Sequence, residues 1–327
     1  MSFSSDARDE VARDIVKARH CRLAELSAII GLNGRLSVSS EGRYSLSLHT
    51  ENIAVARKYF TIIKKTFNIV TVISIKNNAY LKKSRTYTIT IGKHEGALAV
   101  LQAAKYIDRE GNVSKNLLLQ DKTIVMNACC KRAFLRGAFL AAGSISDPEK
   151  FYHLELVTSD MEKALELQHV ITAFGIDAKI VGRKNNFVVY IKDSDSIAEF
   201  LNVMEAHVAL MNFENIRILK EMRNSVNRQV NCETANINKT VSASLKQIED
   251  ITYIKETGNL HTLTANLREI AEIRLEFPEL PLKELGTMLN PPIGKSGVNH
   301  RLRKISDIAD SLREVKEVHN GYKEHDN

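Results

Sequence analysis

A pattern that occurs twice decides most of what this chain can become. Segments leading up to and beyond Gly34 and Gly143 line up at an offset of 107–109 residues, and self-similarity at one fixed period is the mark of a repeated structural unit. Each copy opens with a helical stretch that ends at a glycine, LAELSAIIGLNG (residues 23–34) and KRAFLRGAFLAAG (residues 131–143). A strand pair follows, with alternating apolar residues in RYSLSLHT (residues 43–50) and YHLELVTS (residues 152–159). Thr50 and Thr158 are placed to cap a second helix. TVISIK with RTYTITI, and AKIVG with FVVYI, form the second strand pairs, and a further helix closes each copy. The expectation is an α+β pair of lobes related by a pseudo-two-fold, over residues 1–110 and 111–222. In the paired first helices, Ala28, Gly31, Gly137, Ala138, Ala141 and Ala142 would let two backbones approach closely.

At 327 residues the chain exceeds one ordinary core. Its apolar runs are too short to span a bilayer. The N-terminus, MSFSSDARDEVARDIVKARHCR, alternates acids and bases without an apolar stretch, so it reads as a surface helix of a cytoplasmic protein and not as a signal peptide. Cys21 and Cys232 stand alone and Cys129 adjoins Cys130, so linear spacing offers neither a CxxC ligand pair nor a disulfide framework. No metal and no cofactor are expected. The net charge of +7 favours a polyanionic partner. Through Lys93 there are 16 Lys+Arg against 7 Asp+Glu, and beyond it 30 against 32, so the first lobe holds the whole surplus.

After the second lobe the amide-rich string RNSVNRQVNCETANINKT marks a linker over residues 223–243, because asparagine tolerates turns and left-handed backbone. Four of the five prolines fall after residue 277. Short helices between proline-marked turns predict a small all-α domain over residues 244–316, followed by a disordered tail, residues 317–327. Within it, residues 281–314 read as a helix-turn-helix. Pro281 opens a helix lined by Leu282, Leu285, Met288 and Leu289; Pro291 and Pro292 end it; Ile293 can plug the turn; Ser296 is placed to cap the next helix. On that helix Val298, Leu302, Ile305 and Ala309 share one face, and Asn299, His300, Arg303 and Lys304 share the opposite one. Arg301 flanks the apolar face, better placed for a phosphate than for a base edge. From Leu285 to Ser306 there are four bases and no acid. This segregation predicts double-stranded DNA as partner, through Lys295, Ser296, Asn299, His300, Arg301, Arg303 and Lys304, since Arg pairs with guanine and Asn with adenine in the major groove.

The strings LSAIIGLNG (residues 26–34) and LRGAFLAAG (residues 135–143) resemble two copies of the LAGLIDADG motif of homing endonucleases. Together with RNSVNRQVNCETANINKT and LPLKELGTMLNPPIGKSGVNHRLRKI, they make the chain similar over nearly its whole length to the WhiA family of bacterial sporulation and cell-division regulators. The resemblance implies duplicated LAGLIDADG-like lobes joined to a helix-turn-helix domain, and transcriptional regulators linked to cell division and chromosome segregation. In the endonucleases the last acid of each motif holds a divalent metal. The matching positions here are Asn33 and Ala142, a weak neutral ligand and no ligand at all, so no catalytic residue is assigned.

The first lobe offers a possible secondary nucleic-acid surface through Lys76, Lys82, Lys83 and Arg85, with Tyr80 and Tyr87 as flat surfaces and no acid between residues 69 and 94. Its counterpart carries Arg183, Lys184 and Lys192 but also Asp193 and Asp195, so the halves should contribute unequally. The leading expectation is a non-enzymatic, cytoplasmic, nucleoid-associated DNA-binding regulator. A protein partner docked on the lobes is possible. The internal pseudo-dimer makes a monomer plausible. The alternatives are a metal-dependent nuclease using acids outside the motif, such as Asp147 or Glu41, and an RNA-binding or protein-scaffolding module.

Overall fold

The computed structural model describes residues 2–77, 85–108, 110, 112–114 and 116–321. The chain divides into two compact units, Met1–Glu221 and Met222–Asn327. Among the described residues no helix is long and apolar enough to cross a membrane.

The first unit contains the duplication. Helix α1 (Phe3–Arg13) is followed by α2 (Arg19–Asn33), β1 (Gly34–Val38), β2 (Tyr44–Thr50), α3 (Ile53–Phe67), β3 (Val72–Asn77), β4 (Arg85–Ile91) and α4 (His94–Ala103). The second copy runs α5 (Ala128–Ala142), β5 (Gly143–Ile145), β6 (Leu154–Thr158), α6 (Met161–Thr172), β7 (Lys179–Arg183), β8 (Asn186–Ile191) and α7 (Ser194–Val203). The sheets are antiparallel with identical orders, β1-β2-β4-β3 and β5-β6-β8-β7. In both, the strand that follows the first helix lies at one edge, and every pairing repeats in register. Asn52 and Asp160 cap the second helices with their side chains, two residues beyond Thr50 and Thr158, the caps expected from the sequence.

Helices α2 and α5 pack face to face at the centre of this unit, with Leu26, Ile29, Ile30, Leu135, Ala138 and Phe139 buried. The small residues set the distance. A Cβ on Gly137 would lie 2.2 Å from the Glu25 carbonyl oxygen and 3.1 Å from the Ala28 methyl, so the helix backbones meet there with no room for a side chain. Helix α1 is not a freely solvated surface helix: Ala7, Val11 and Ala12 are buried. Its polar side ties the lobes together. Arg8 donates to the Gly143 carbonyl, Ser4 accepts from the Ile145 amide at 3.1 Å, and Glu10 accepts from the Val208 and Ala209 amides, each at 2.8 Å.

The amide-rich string is helical throughout, inside the 50-residue α8 (His207–Glu256), where a turn-rich linker was expected. Every residue from 223 to 243 is exposed. Propensity is a weak prior, and no glycine or proline interrupts residues 207–256; the first break is Gly258, in the left-handed region at φ 74°. Met222, Val226 and Val230 recur at intervals of four along one face, a periodicity that continues through the asparagines.

The second unit adds α9 (Ala265–Glu276), α10 (Leu282–Thr287) and α11 (Lys295–Gly321) to the end of α8. Its core joins Ile251, Ile254, Ile270, Leu285, Val298, Leu302, Ile305 and Ala309. The last helix reaches Gly321, so positions 317–321 are helical rather than disordered; the rest of the expected tail, 322–327, lies outside the described residues.

Candidate nucleic-acid interface

Helices α10 and α11 form the expected helix-turn-helix around a close backbone contact. A Cβ on Gly286 would meet the Ile293 carbonyl oxygen at 2.2 Å, and the Ile293 amide donates to the Gly286 carbonyl at 2.9 Å. Ile293 packs on the core from the turn, and a Cβ on Gly297 would lie 3.1 Å from its Cδ1. Helix α11 starts one residue before Ser296, which was expected to cap it. Gly294 fills that place, its carbonyl accepting from Val298 at 3.1 Å.

With Val298, Leu302, Ile305 and Ala309 buried, the opposite face carries Lys295, Ser296, Asn299, His300, Arg303 and Lys304, all exposed. Arg301 is half-buried and its Nη1 donates to the Asn266 carbonyl at 3.5 Å, so it leans on α9. Behind this face the domain is braced by charge. Arg274, buried, donates to Gln247 at 3.1 Å and to the Leu280 carbonyl at 2.7 Å, and Arg313 pairs with buried Asp250 at 2.8 Å. A cleft brings Lys295 and Asn299 together with Lys239, Thr240 and Lys283. Sequence reasoning passed over Lys239 and Thr240 because it placed them in a linker; the unbroken helical period of α8 is the signal that would have found them.

The sheets of the first unit each cover helices with one face and leave the other open. On the first, Leu46, Leu48, Ile89 and Ile91 point to the core, while strand alternation puts Ser45, Ser47, His49, Thr86, Thr88 and Thr90 on the open side. Cross-strand register adds Arg35 beside Ser47, Ser74 beside Thr88 and Lys76 beside Thr86. The His49 Nδ1 lies 3.0 Å from the Thr88 hydroxyl. Partial burial, and then the nearby charges of Arg35 and Lys76, hold the His49 imidazole below its usual range. Of the expected secondary surface, Lys76 lies on this face and exposed Arg85 begins β4 opposite Asn77. Lys82, Lys83 and Tyr80 lie outside the described residues, and Tyr87 is buried on the core side.

At the C-terminal ends of α2 and α5 the motif positions lack acid. Asn33 Nδ2 donates to the His49 carbonyl, so this amide is engaged within its own lobe. Asn33 lines a cleft with Arg8, His49, Glu51, Asn52, Leu140 and Ala141, so one guanidinium and one carboxylate stand beside the motif position. Glu41 pairs with Arg43 at 3.2 Å, and Asp147 accepts from the Glu149 amide at 3.1 Å in its own turn.

The opposite ends of the same helices hold a cluster that linear spacing did not disclose. His20 and Cys21 from α2 meet Cys129 and Cys130 from α5, with all four potential ligand atoms within 4.8 Å of one another. Cysteines far apart in sequence were read singly there, although they occupy equivalent positions of the two copies. Burial and the neighbouring thiols push the Cys21 thiol up to about 12.

Comparison with known proteins matches three consecutive segments to family models: the WhiA N-terminal LAGLIDADG-like domain over residues 19–105, the WhiA LAGLIDADG-like domain over 131–223, and the WhiA C-terminal helix-turn-helix domain over 226–309. A probable cell division protein WhiA from Lachnoclostridium phytofermentans is 54% identical over 314 residues, covering 96% of this chain and 100% of the relative. Another, from Thermoanaerobacter pseudethanolicus, is 50% identical over 96% of this chain and 99% of its own length. The crystal structure of full-length WhiA from Thermatoga maritima superimposes with a TM-score of 0.57 at 26% identity, covering 95% of this chain and 99% of that one.

Proposed function

The chain belongs to the WhiA family, and from that premise we propose that it is a sequence-specific DNA-binding regulator of transcription, working in cell division, whose LAGLIDADG-like lobes bind without cutting. The observation that carries this reading is the clean division of α11. Its apolar face is consumed by the core of its own domain, while Lys295, Asn299, His300, Arg303 and Lys304 are left exposed together without an acid among them. A helix so divided fits the major groove, where Arg303 and Asn299 can reach base edges. Lys239 and Lys283, across the cleft from Lys295, are positioned for flanking phosphates. Arg301, braced against α9, approaches the backbone rather than a base.

Lobes without nuclease chemistry fit the rest of the site. Asn33 is bonded to His49, Ala142 offers only a methyl group, and the adjoining cleft holds, among the described residues, the cation of Arg8 and a single carboxylate, Glu51. One carboxylate beside a guanidinium falls short of the several oxygen ligands that a divalent metal takes. Double-stranded DNA is therefore the partner, and the nucleoid within the cytoplasm is where such a protein works. Sporulation and chromosome segregation are the processes that the family resemblance adds.

The decisive experiment is binding of the full chain to its operator, found by genome-wide crosslinking, for the wild type and for Arg303→Ala with Lys304→Ala. Loss of the Lys304 phosphate contact lowers the slope of log affinity against log salt by about 0.9, and loss of the Arg303 base contact weakens the preference for the operator over unrelated DNA. A folded double mutant with unchanged slope and preference would overturn the assignment.

A further inference from the structure

His20 and Cys21 stand in the first turn of α2, and Cys129 and Cys130 in the first turn of α5. Each residue of one pair is 109 positions from its partner in the other, the offset that separates Gly34 from Gly143. The cluster is thus one site of the repeat seen twice, facing itself across the pseudo-two-fold. We propose that the three cysteine sulfurs and the His20 imidazole hold one zinc ion, which clamps the two lobes together at the N-terminal ends of their paired helices.

The donor set and its geometry carry the proposal. Three thiolates and one imidazole make the Cys₃His set that closed, structural zinc sites use. Zinc–sulfur bonds of about 2.3 Å in a tetrahedron put neighbouring ligand atoms about 3.8 Å apart. Here His20 Nδ1 is 3.2 Å from Cys130 Sγ and 3.3 Å from Cys21 Sγ, and all four atoms fall within 4.8 Å. Side-chain shifts of up to about half an ångström per atom separate the two arrangements. The ligand nitrogen is therefore Nδ1.

The surroundings suit the charge of the loaded site. Zinc displaces three thiol protons to the solvent, so the bound unit carries a net charge of about −1. Both helices aim their N-termini at it, neither first turn contains an acid, and neither N-cap side chain occupies the free amides. A negative unit is stabilised at such a place. Arg19 and Arg22 flank one ligand pair, and Lys131 and Arg132 the other. Cys21 and Cys130 are buried, whereas His20 and Cys129 are exposed, which gives the ion a route in. With four protein ligands the site has no open position, so it is structural and stands apart from the ends of the helices that hold Asn33 and Ala142.

The test uses full-length protein isolated in reductant without a metal-affinity tag. Elemental analysis should find about one zinc per chain, released by a mercurial that attacks thiolates. Cobalt(II) in place of zinc should give the intense visible bands of a tetrahedral site and a thiolate charge-transfer band. Cys129→Ser, at an exposed position that the fold does not need, should cut that band by about one third and weaken the metal by more than the roughly 10–100-fold typical of an outer-shell change. Cys232→Ser should change neither. Chelation should lower the Tm of wild type and leave that of Cys21→Ser unmoved. The proposal is overturned if the reduced protein, incubated with zinc or cobalt, binds neither. It is also overturned if Cys232→Ser loses the metal as Cys129→Ser does, or if freshly isolated protein carries a Cys21–Cys130 disulfide in place of metal.

Discussion

The two sheets of the duplicated unit share strand order, direction and register, and yet their open faces are chemically unlike. The first presents Ser45, Ser47, Thr86, Thr88 and Thr90 with Arg35, Lys76 and His49 among them. On the second, strand alternation puts Val157 opposite Val188, which is buried even on this side of the sheet, Val181 next to Val188, and Glu155 between Ser144 and Tyr190. Glu155 is already engaged, 3.3 Å from His153 Nε2 and 3.7 Å from Arg183, so the acid spends the charge of the base beside it. Most core-facing residues of both sheets are aliphatic, because packing requires chiefly volume and shape. An open face has no such constraint. The two copies therefore share a scaffold, while among the described residues only the first open face gathers hydroxyls around cations that no acid pairs.

A similar divergence reaches the helices that back the sheets. Six residues beyond the caps Asn52 and Asp160 stand Lys58 in α3 and Glu166 in α6. Lys58 is fully buried, 2.6 Å from Glu25, and also donates to the Val11 carbonyl at 2.7 Å. Removing one partner from such a pair leaves a buried charge, so Lys58→Met should cost about 3–5 kcal/mol in denaturant unfolding, more than any other change considered for this unit. Lys58→Met combined with Glu25→Met should recover much of that loss; equal losses for the single and double variants would show that the pair is not a pair. The helix contact comes next. Gly137 is equivalent to Ala28, 109 residues earlier. Gly137→Ala drives a methyl against the Glu25 carbonyl and should cost about 1–3 kcal/mol, whereas Ala28→Gly should cost no more than about 1 kcal/mol plus the loss of a buried methyl. Similar Tm shifts for the two would remove the asymmetry.

Glu166 has a smaller and pH-dependent effect. Partial burial pushes its carboxyl up to about 7, against the opposing pull of Lys122 and Lys163. The fold thus favours the protonated form, a contribution present in full below the ordinary value of 4.5 and lost as pH rises through about 7. Glu166→Gln should be nearly neutral at pH 4.5 and more stable than wild type at pH 8, by on the order of 1–2 kcal/mol once solvent screening is allowed for. A gap that did not widen between those pH values would place Glu166 in water rather than in the half-buried setting seen here.

How far the sequence foretells this molecule depends on whether a feature is periodic. The two lobes repeat at 107–109 residues and the strand pairs and apolar face of α11 at spacings of two, three or four, and they stand where those spacings put them. The glycines at 34 and 143 were legible as helix ends, although the structure gives them extended backbone and close packing on Ile30 and Phe139 rather than a left-handed turn. Residues 223–243 were misread because asparagine was weighed by its turn preference while the uninterrupted helical period was passed over. Pairings between distant segments left no local trace at all. Nothing near Glu25 announces Lys58, nothing near Cys21 announces Cys130, and Arg8 gives no sign that it will reach Gly143. The basic face of α11 could be read from one helix alone, whereas the cleft with Lys239 needed the fold.

The sharpest use of the comparison is also the smallest in energy. If the first open face contacts phosphates and the second does not, Arg35→Ala with Lys76→Ala should lower the salt slope of non-specific DNA binding by up to about 1.8. The accompanying loss of affinity near physiological salt is about tenfold or less. The contrasting change on the other sheet, Lys179→Ala with Arg183→Ala, removes the same formal charge from the open side of β7, where Arg183 is the register equivalent of Lys76, and should leave the slope where it was, because Arg183 is balanced by Glu155 and Lys179 lies 3.7 Å from Asp177. Both pairs are on exposed or half-exposed strand positions, so neither should unfold the lobes. Equal slopes for the two double variants would mean that only the total charge of the unit matters. A fall confined to the second would assign the polyanion to the other face and reverse the reading of the duplication.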